Sequence, residues 1–163
     1  MQSLRPFGSR YDAVIVGARC AGAATAFLLA RAGAKVLLVD RQIYGSDTLS
    51  THALMRTGVL QLHRWGLLPM VMAEGTPEIR FTTFHYGRQA LRLSIKPEHG
   101  VNYLCAPRRT VLDRVLVDAA RKAGAEVHHG ICLADVEFDS GGQAIGVRLR
   151  DTDASERIVR CDF

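Results

Sequence analysis

The fold is decided by residues 12–41, which read DAVIVGARCAGAATAFLLARAGAKVLLVDR. The β-branched run from Ala13 to Val16 predicts a strand that is buried on both faces. A helix-forming run over 20–32 follows, and a second apolar run over 35–39 leads directly into Asp40. This order predicts a β-α-β unit at the start of an α/β domain with a parallel sheet, which is typical of dinucleotide-binding proteins.

The residues between these elements suit the phosphates and sugar of a dinucleotide. Gly17 permits the tight turn after the strand, and Gly22 lets helix and strand approach closely. The N–H groups and positive dipole end of the helix N-terminus attract a pyrophosphate. Asp40 lies 23 positions after Gly17 and is placed to accept hydrogen bonds from a ribose hydroxyl.

One position departs from the usual glycine pattern. The pattern Gly-x-Gly-x-x-Gly expects glycine at position 19, where this chain has Arg19. We expect this side chain to turn outward, where its charge still favours a nearby anion. The alternative is an exposed loop arginine in an α/β protein that binds no nucleotide.

Composition favours a single domain and excludes several classes of function. The 163 residues are 48% hydrophobic, enough for one core, and no apolar run is long enough to cross a membrane. The net charge of +5 comes from scattered arginines rather than a basic stripe, which argues against nucleic acid as a partner. The four cysteines show no metal-ligand spacing, so no metal is predicted. Without a signal sequence, we expect a cytoplasmic protein.

The middle of the chain is less regular. A helix is predicted over 52–65 with Ser50 or Thr51 as its N-cap, and His52 lies either in the cofactor cleft or among ordinary surface and core residues. Residues 78–105 form a predicted β-rich insertion. Within it, strands over 79–86 and 90–95 flank a three-residue turn, and a short strand covers 101–105.

The last third returns to the parallel sheet and then changes character. Pro107 is placed to begin a long helix that Gly124 ends, and residues 125–131 predict a further parallel strand. Three more segments then alternate with turns and predict an antiparallel β-meander; they cover residues 133–138, 144–150 and 156–163. The predicted fold is therefore a Rossmann-like parallel sheet plus an antiparallel meander.

Three motifs and this element order resemble a known family. The loop from Gly17 to Gly22, the segment DTLSTH over 47–52 and the helix opening RTVLDRVL over 109–116 are similar to FAD-dependent monooxygenases of the p-hydroxybenzoate hydroxylase type. The geranylgeranyl-reductase-like flavoproteins share the layout. The resemblance covers nearly all 163 residues, although the first third and the Arg109 helix carry most of it.

The resemblance implies a cofactor and residues that bind it. FAD would be bound with NAD(P)H as co-substrate, and a small aromatic or apolar substrate would be oxygenated. Arg109 would contact the cofactor, although a solvated arginine at the helix start is the alternative. The implied cofactor-binding residues are Gly17, Ala18, Cys20, Ala21, Gly22, Asp40, Arg41 and Arg109. No catalytic side chain is predicted in the chain.

The resemblance also implies parts that the chain lacks. In the family, a Gly-Asp strand that binds the flavin and a substrate domain follow the meander, so we expect residues 1–163 to be an FAD-binding domain that is incomplete at its C-terminus. The expected function is the FAD-binding portion of an oxidoreductase, inactive by itself. Two alternatives remain: a truncated non-catalytic module that forms homo-oligomers, and an NAD(P)-dependent dehydrogenase.

Overall fold

The structure, a computed structural model, describes residues 8–50 and 53–162. In chain order the elements are β1 (Arg10–Tyr11), β2 (Ala13–Val16), α1 (Cys20–Arg31), β3 (Val36–Asp40), α2 (Arg56–Arg64), α3 (Leu68–Ala73), β4 (Glu78–Ile79), β5 (Phe81–Tyr86), β6 (Gln89–Ser94), β7 (Leu104–Cys105), α4 (Arg109–Lys122), β8 (Glu126–His129), β9 (Cys132–Phe138), β10 (Ala144–Arg150) and β11 (Glu156–Cys161). They form two compact units. Unit 1 comprises the described residues of Met1–Ser46 and Leu116–Phe163, and unit 2 comprises those of Asp47–Val115.

The parallel sheet of unit 1 has the strand order β2-β3-β8. All five residues of β3 are buried, as expected for a central parallel strand covered on both faces. Its neighbours pair with it in register, with Val16 beside Val39 and His129 beside Asp40. The three strands therefore end together, and their carboxyl edge carries the Gly17 loop, Asp40 and His129. The predicted Rossmann-like β-α-β unit and the returning strand are confirmed.

The second sheet of unit 1 is the predicted meander, extended by one strand. Its order is β1-β11-β10-β9; β9, β10 and β11 are antiparallel, and β1 pairs parallel with β11. A buried apolar cluster joins the two sheets, formed by Tyr11, Leu37, Val39, Ile131, Val147, Leu149 and Val159. Because successive side chains of a strand point to opposite faces, Leu37 and Val39 of β3 both point into this cluster.

Unit 2 contains the irregular middle of the chain. Its described part holds the helices α2 and α3 and two small antiparallel pairs, β4 with β7 and β5 with β6. The β5–β6 hairpin is almost fully exposed on both faces. These strands all lie within residues 78–105. That this range is an insertion in the domain stays a prediction. The division between the units falls within α4.

Three boundaries predicted in unit 2 are wrong. Helix α2 begins at Arg56 rather than 52, because Leu54 and Cys105 exchange backbone hydrogen bonds of 2.7 and 3.3 Å and hold residue 54 extended. The hairpin turn has two residues rather than three, since Tyr86 pairs with Gln89. Strand β7 is shorter than 101–105 because Val101 bonds back to Glu98. Thr51 and His52 lie outside the described residues.

Within residues 8–50 and 53–162, none of the helices combines the length and the apolar character that a membrane span requires.

Candidate functional site

The loop after β2 has the geometry of a phosphate cradle. Gly17 adopts φ +104°, a left-handed conformation that favours glycine, and its N–H donates to the Val39 carbonyl at 2.7 Å. A Cβ on Gly22 would lie 1.9 Å from the Gly17 carbonyl oxygen and 3.1 Å from Ile15 Cγ2. The first turn of α1 is therefore packed directly on the loop, and only glycine permits this approach at position 22.

Asp40 is fixed at the end of β3 by backbone donors. Ala18 N–H donates to Asp40 Oδ2 at 2.6 Å, and Gln42 N–H donates to Asp40 Oδ1 at 2.7 Å. The residue is only 7% exposed. Each carboxylate oxygen has two lone-pair directions, so each can accept a further hydrogen bond from a ligand hydroxyl. The carboxylate is therefore both an anchor for the glycine loop and a preorganised acceptor.

Arg19 turns away from the loop, as the sequence predicts. Its Nη1 donates to the Ser46 carbonyl oxygen at 2.8 Å, and its Nη2 donates to Ser46 Oγ at 2.9 Å. These two bonds direct the end of the side chain toward the 40–46 segment.

His129, the neighbour of Asp40 in the sheet, belongs to a group of aromatic and charged side chains in unit 1. The Tyr44 ring meets the His129 ring edge-on with centroids 5.6 Å apart, and Tyr44 Oη donates to Asp118 Oδ2 at 2.6 Å. The Arg121 guanidinium lies 4.7 Å from the centre of the Tyr44 ring. Burial lowers the pKa of His129, and the positive charge of Arg121 lowers it further. His129 is therefore held neutral near pH 7 beside the Asp40 carboxylate.

The neutral state of His129 predicts a pH-dependent stability. Because the folded pKa lies below its ordinary value of 6.5, the unfolded chain binds the proton first as pH falls. The free energy of unfolding should decline from about pH 6.5 downward and be unaffected by this group above that pH. Urea unfolding between about pH 7.5 and 5 checks this.

The H129N variant provides the comparison for this experiment. It should show a flatter dependence over the same range, because it has no imidazole to protonate. H85Q, which changes an exposed histidine on β5, should keep the wild-type slope. Equal slopes in H129N and wild type would contradict the assignment.

Arg109 is placed in unit 2, at the first position of α4. Its Nε and Nη2 donate to Asp113 Oδ1 at 3.2 and 3.1 Å, one helical turn away. The Asp113 carboxylate is buried and the Arg109 side chain is 19% exposed. The pair fixes the guanidinium at the rim of a cavity of about 640 Å³, lined by Asp47, Thr48, Leu49, Ser50, Ala106, Pro107, Arg108 and Arg109. Its size is in the range of small-molecule pockets.

The predicted binding residues fall into two groups. Those of unit 1 meet at the carboxyl edge of the parallel sheet: Gly17, Ala18, Cys20, Ala21, Gly22 and Asp40. Arg41 follows them at an exposed position. Arg109 belongs to unit 2 and lines its cavity, together with residues of the 47–50 segment that was part of the predicted motif.

Sequence reasoning missed four residues near these groups: Ser46, Tyr44, His129 and Asp113. Only Asp113 had a readable signal, since an arginine and an aspartate four positions apart on a helix form an ion pair. The contact between Tyr44 and His129 joins positions 85 apart in the chain. No local pattern predicts it.

The groups of unit 1 fit the ADP half of a dinucleotide on three structural grounds. There is no room for a Cβ at Gly22, so the helix N-terminus closes on the loop. The N-cap residue Arg19 makes no side-chain capping hydrogen bond, and the first turn of α1 holds no acid. Asp40 keeps free acceptor capacity beside that terminus. A pyrophosphate and a ribose require these features.

Over 8–50 and 53–162, no group of three or more His, Cys, Asp or Glu side chains is arranged to hold a metal ion.

Comparison with protein families and curated proteins places the chain among flavoproteins. Residues 10–163 match the family described as FAD binding domain. The chain is 34% identical to a monooxygenase of Aspergillus candidus over 93% of its length and 41% of that protein. It is 32% identical to the aklavinone 12-hydroxylase of Streptomyces peucetius subsp. caesius, over 86% of its length and 31% of that protein. The chain thus spans about a third of the length of such relatives.

Solved structures agree in fold. The myxobacterial chondrochloren halogenase CndH, described as an FAD-dependent halogenase, superimposes with a TM-score of 0.85 at 23% identity, covering 94% of this chain and 36% of that one. PqsL of P. aeruginosa in complex with 2-aminobenzoylacetate gives a TM-score of 0.79 at 21% identity, covering 93% and 41%. At these identities the likeness establishes the fold only.

Proposed function

The chain belongs to the FAD binding domain family, and from that premise we propose that it holds the ADP half of FAD within an NAD(P)H-dependent monooxygenase. The observation that carries the proposal is the pairing of the Ala18 N–H with the Asp40 carboxylate at 2.6 Å. It holds the phosphate loop and the ribose acceptor at one edge of the sheet. A small aromatic or apolar substrate is proposed by analogy with the hydroxylase relative.

Each residue of the site has a proposed role toward FAD. The loop from Gly17 to Gly22, with the backbone of Ala18, Cys20 and Ala21, binds the pyrophosphate through N–H groups and the helix dipole. Asp40 accepts hydrogen bonds from the adenosine ribose, and Arg41 lies beside the adenosine. Arg109, held in place by Asp113, contacts the cofactor.

The redox chemistry would belong to the cofactor. Bound FAD supplies hydride acceptance from NAD(P)H and activation of oxygen, and the protein supplies binding and orientation. The residues of this chain would fix the adenosine and the pyrophosphate, and this would position the rest of the cofactor. We assign no catalytic side chain to these residues.

The proposed reaction is tested in the longer polypeptide that carries this chain. Purified protein should retain the visible absorbance of flavin after desalting, and a substrate should stimulate oxidation of NAD(P)H with uptake of oxygen and formation of a hydroxylated product. Retention of flavin without any oxidation of NAD(P)H would contradict the monooxygenase assignment and leave FAD binding intact.

Halogenation is a second candidate, favoured by the comparisons. The 1H-pyrrole-2-carbonyl-[peptidyl-carrier protein] chlorinase of Pseudomonas fluorescens is 28% identical over 83% of the chain and 34% of that protein. The same assay distinguishes the two reactions, because a halogenase forms a halogenated product only when a halide salt is supplied. The family match gives no support to the NAD(P)-dependent dehydrogenase, and a non-catalytic module remains an alternative for the chain by itself.

The role of Arg109 predicts the effect of its removal. In R109A the buried Asp113 carboxylate loses two charged donors, so the free energy of unfolding should fall by about 1.5 kcal/mol. Affinity for FAD should fall about tenfold if the guanidinium also contacts the cofactor. Urea unfolding and fluorescence titration measure the two effects.

The neighbouring arginine is the matched control. Arg108 is exposed and lines the same cavity, so R108A removes the same charge without touching a buried carboxylate. It should change the unfolding free energy by less than about 0.5 kcal/mol. Equal effects of R108A and R109A would show that net charge alone matters.

A further inference from the structure

The backbone geometry at position 19 neither requires an arginine nor excludes one. Residue 19 is the N-cap of α1 with φ −87° and ψ −172°, an extended conformation that any residue adopts. Glycine in this place serves only to leave room for a phosphate group. A side chain is therefore tolerated if it leaves that room, and its contacts can then serve another purpose.

The guanidinium of Arg19 donates two hydrogen bonds to Ser46 of the neighbouring loop. Nη1 donates to the carbonyl oxygen of Ser46 at 2.8 Å and Nη2 donates to its hydroxyl oxygen at 2.9 Å. The planar fork of arginine suits two acceptors on one residue, and both bonds involve a charged donor. The contact joins positions 27 residues apart, both in unit 1.

The loop that Arg19 contacts is held by polar and ring contacts rather than by burial. Residues 41–45 are exposed, and Ile43 is 74% exposed. A loop held in this way opens more readily when one of its contacts is lost. Besides the bonds of Ser46 to Arg19, its contacts with the rest of unit 1 include the Tyr44 hydroxyl on Asp118, the Tyr44 ring against His129 and Arg121, the Gln42 N–H on Asp40 and the Gln42 carbonyl, which accepts from the Gly130 N–H at 3.4 Å.

The same loop is coupled to the ribose acceptor. The Gln42 N–H at its start donates to one oxygen of Asp40, and the Ala18 N–H next to Arg19 donates to the other. Movement of residues 42–46 would therefore disturb the orientation of the carboxylate. Arg19 and Ala18 are adjacent in the chain, so the two contacts bind the glycine loop to both ends of the 40–46 segment.

We propose that Arg19 is a positioning residue that clamps the 42–46 loop to the glycine loop and thereby fixes Asp40 for the adenosine half of FAD. The inference rests on the proposed function and deepens it. It makes a counterintuitive prediction: restoring the usual glycine at position 19 weakens nucleotide binding.

The test compares four variants by two measurements. ADP is the titrated ligand, because it contains only the half of FAD that unit 1 is proposed to bind, and amide hydrogen exchange of residues 42–46 is followed in the unliganded protein. R19G should bind ADP about tenfold more weakly and exchange these amides faster. S46A, which loses one of the two acceptors, should weaken binding about threefold, and R19K should recover part of the R19G loss.

R88G is the control, since Arg88 is an exposed arginine in the β5–β6 turn and the charge change is identical. It should bind ADP like wild type. The clamp is overturned if R19G binds ADP as tightly as wild type, if its 42–46 amides exchange at the wild-type rate, or if S46A is neutral while R19G is weak. That last pattern would mean that Arg19 acts on the phosphates directly.

Failure of the proposed function gives a different pattern. If folded wild-type protein does not bind ADP, both the function and this role of Arg19 are wrong, whatever the exchange rates show. If wild type binds ADP and the variants do not follow the predicted order, only the clamp is wrong.

Discussion

Gly22→Ala is expected to destabilise unit 1 by about 3 kcal/mol or more and to abolish FAD binding. The added Cβ would lie 1.9 Å from the Gly17 carbonyl oxygen, and the obstacle is backbone rather than a flexible side chain. To relieve the clash, the first turn of α1 must move off the glycine loop, which separates the helix N-terminus from Asp40. Domains are stable by only about 5–15 kcal/mol, so a large part of the folded population is at risk.

The matched control is Gly58→Ala, the same chemical change within α2. There the nearest atom to an added Cβ is Leu54 Cδ2 at 3.4 Å, an ordinary contact with a side chain. Alanine is a better helix former than glycine, so G58A should be neutral or stabilising by up to about 1 kcal/mol. Urea unfolding followed by circular dichroism compares the two. A G22A protein with wild-type stability would contradict the close packing of α1 on the loop.

Asp40→Ala is expected to weaken ADP and FAD binding about 100-fold. The substitution removes the proposed ribose acceptor and also the acceptor of two backbone N–H groups, on Ala18 and Gln42. Leaving a buried donor unpaired costs about 1–3 kcal/mol, so the free energy of unfolding should fall by about 2 kcal/mol as well. A hundredfold loss of affinity corresponds to about 2.7 kcal/mol. Titration calorimetry and urea unfolding measure the two quantities.

Two further variants separate the causes. D40N keeps the shape of the side chain, but its amide nitrogen cannot accept a hydrogen bond, so one backbone N–H still loses its partner and binding should remain weak. D12A removes a carboxylate that accepts from the Lys35 N–H at 2.6 Å in an exposed position. Water can replace that acceptor, so D12A should bind ADP like wild type. Tight binding by D40A would refute the role of this carboxylate.

Much of unit 1 could be predicted from sequence because its signals are local. The two apolar runs, the helix between them and the acid that ends β3 lie within 30 residues, and the meander strands are separated by turn residues at short intervals. Period and turn chemistry suffice for such elements. The places of Gly17, Gly22 and Asp40 in the fold could be predicted because the β-α-β unit fixes both the loop and the end of the second strand.

The features that could not be predicted depend on contacts between residues far apart in the sequence, which no local pattern indicates. Strand β1 has two residues and takes its partner from β11, about 150 positions away. The start of α2 was misplaced because a bridge between Leu54 and Cys105 overrides the helical pattern before Arg56. The grip of Arg19 on Ser46 was also unpredictable, since the sequence indicates that the arginine turns outward but not what it meets.

The most direct test of the central claim is a calorimetric titration of this chain with FAD, ADP and riboflavin. We predict that FAD and ADP bind with one molecule per chain and compete with each other, while riboflavin, which lacks the adenosine and pyrophosphate, binds far more weakly. A folded chain that binds neither FAD nor ADP, or that binds riboflavin as tightly as FAD, would contradict the assignment of the Gly17–Gly22 loop and Asp40 to the ADP half of the cofactor.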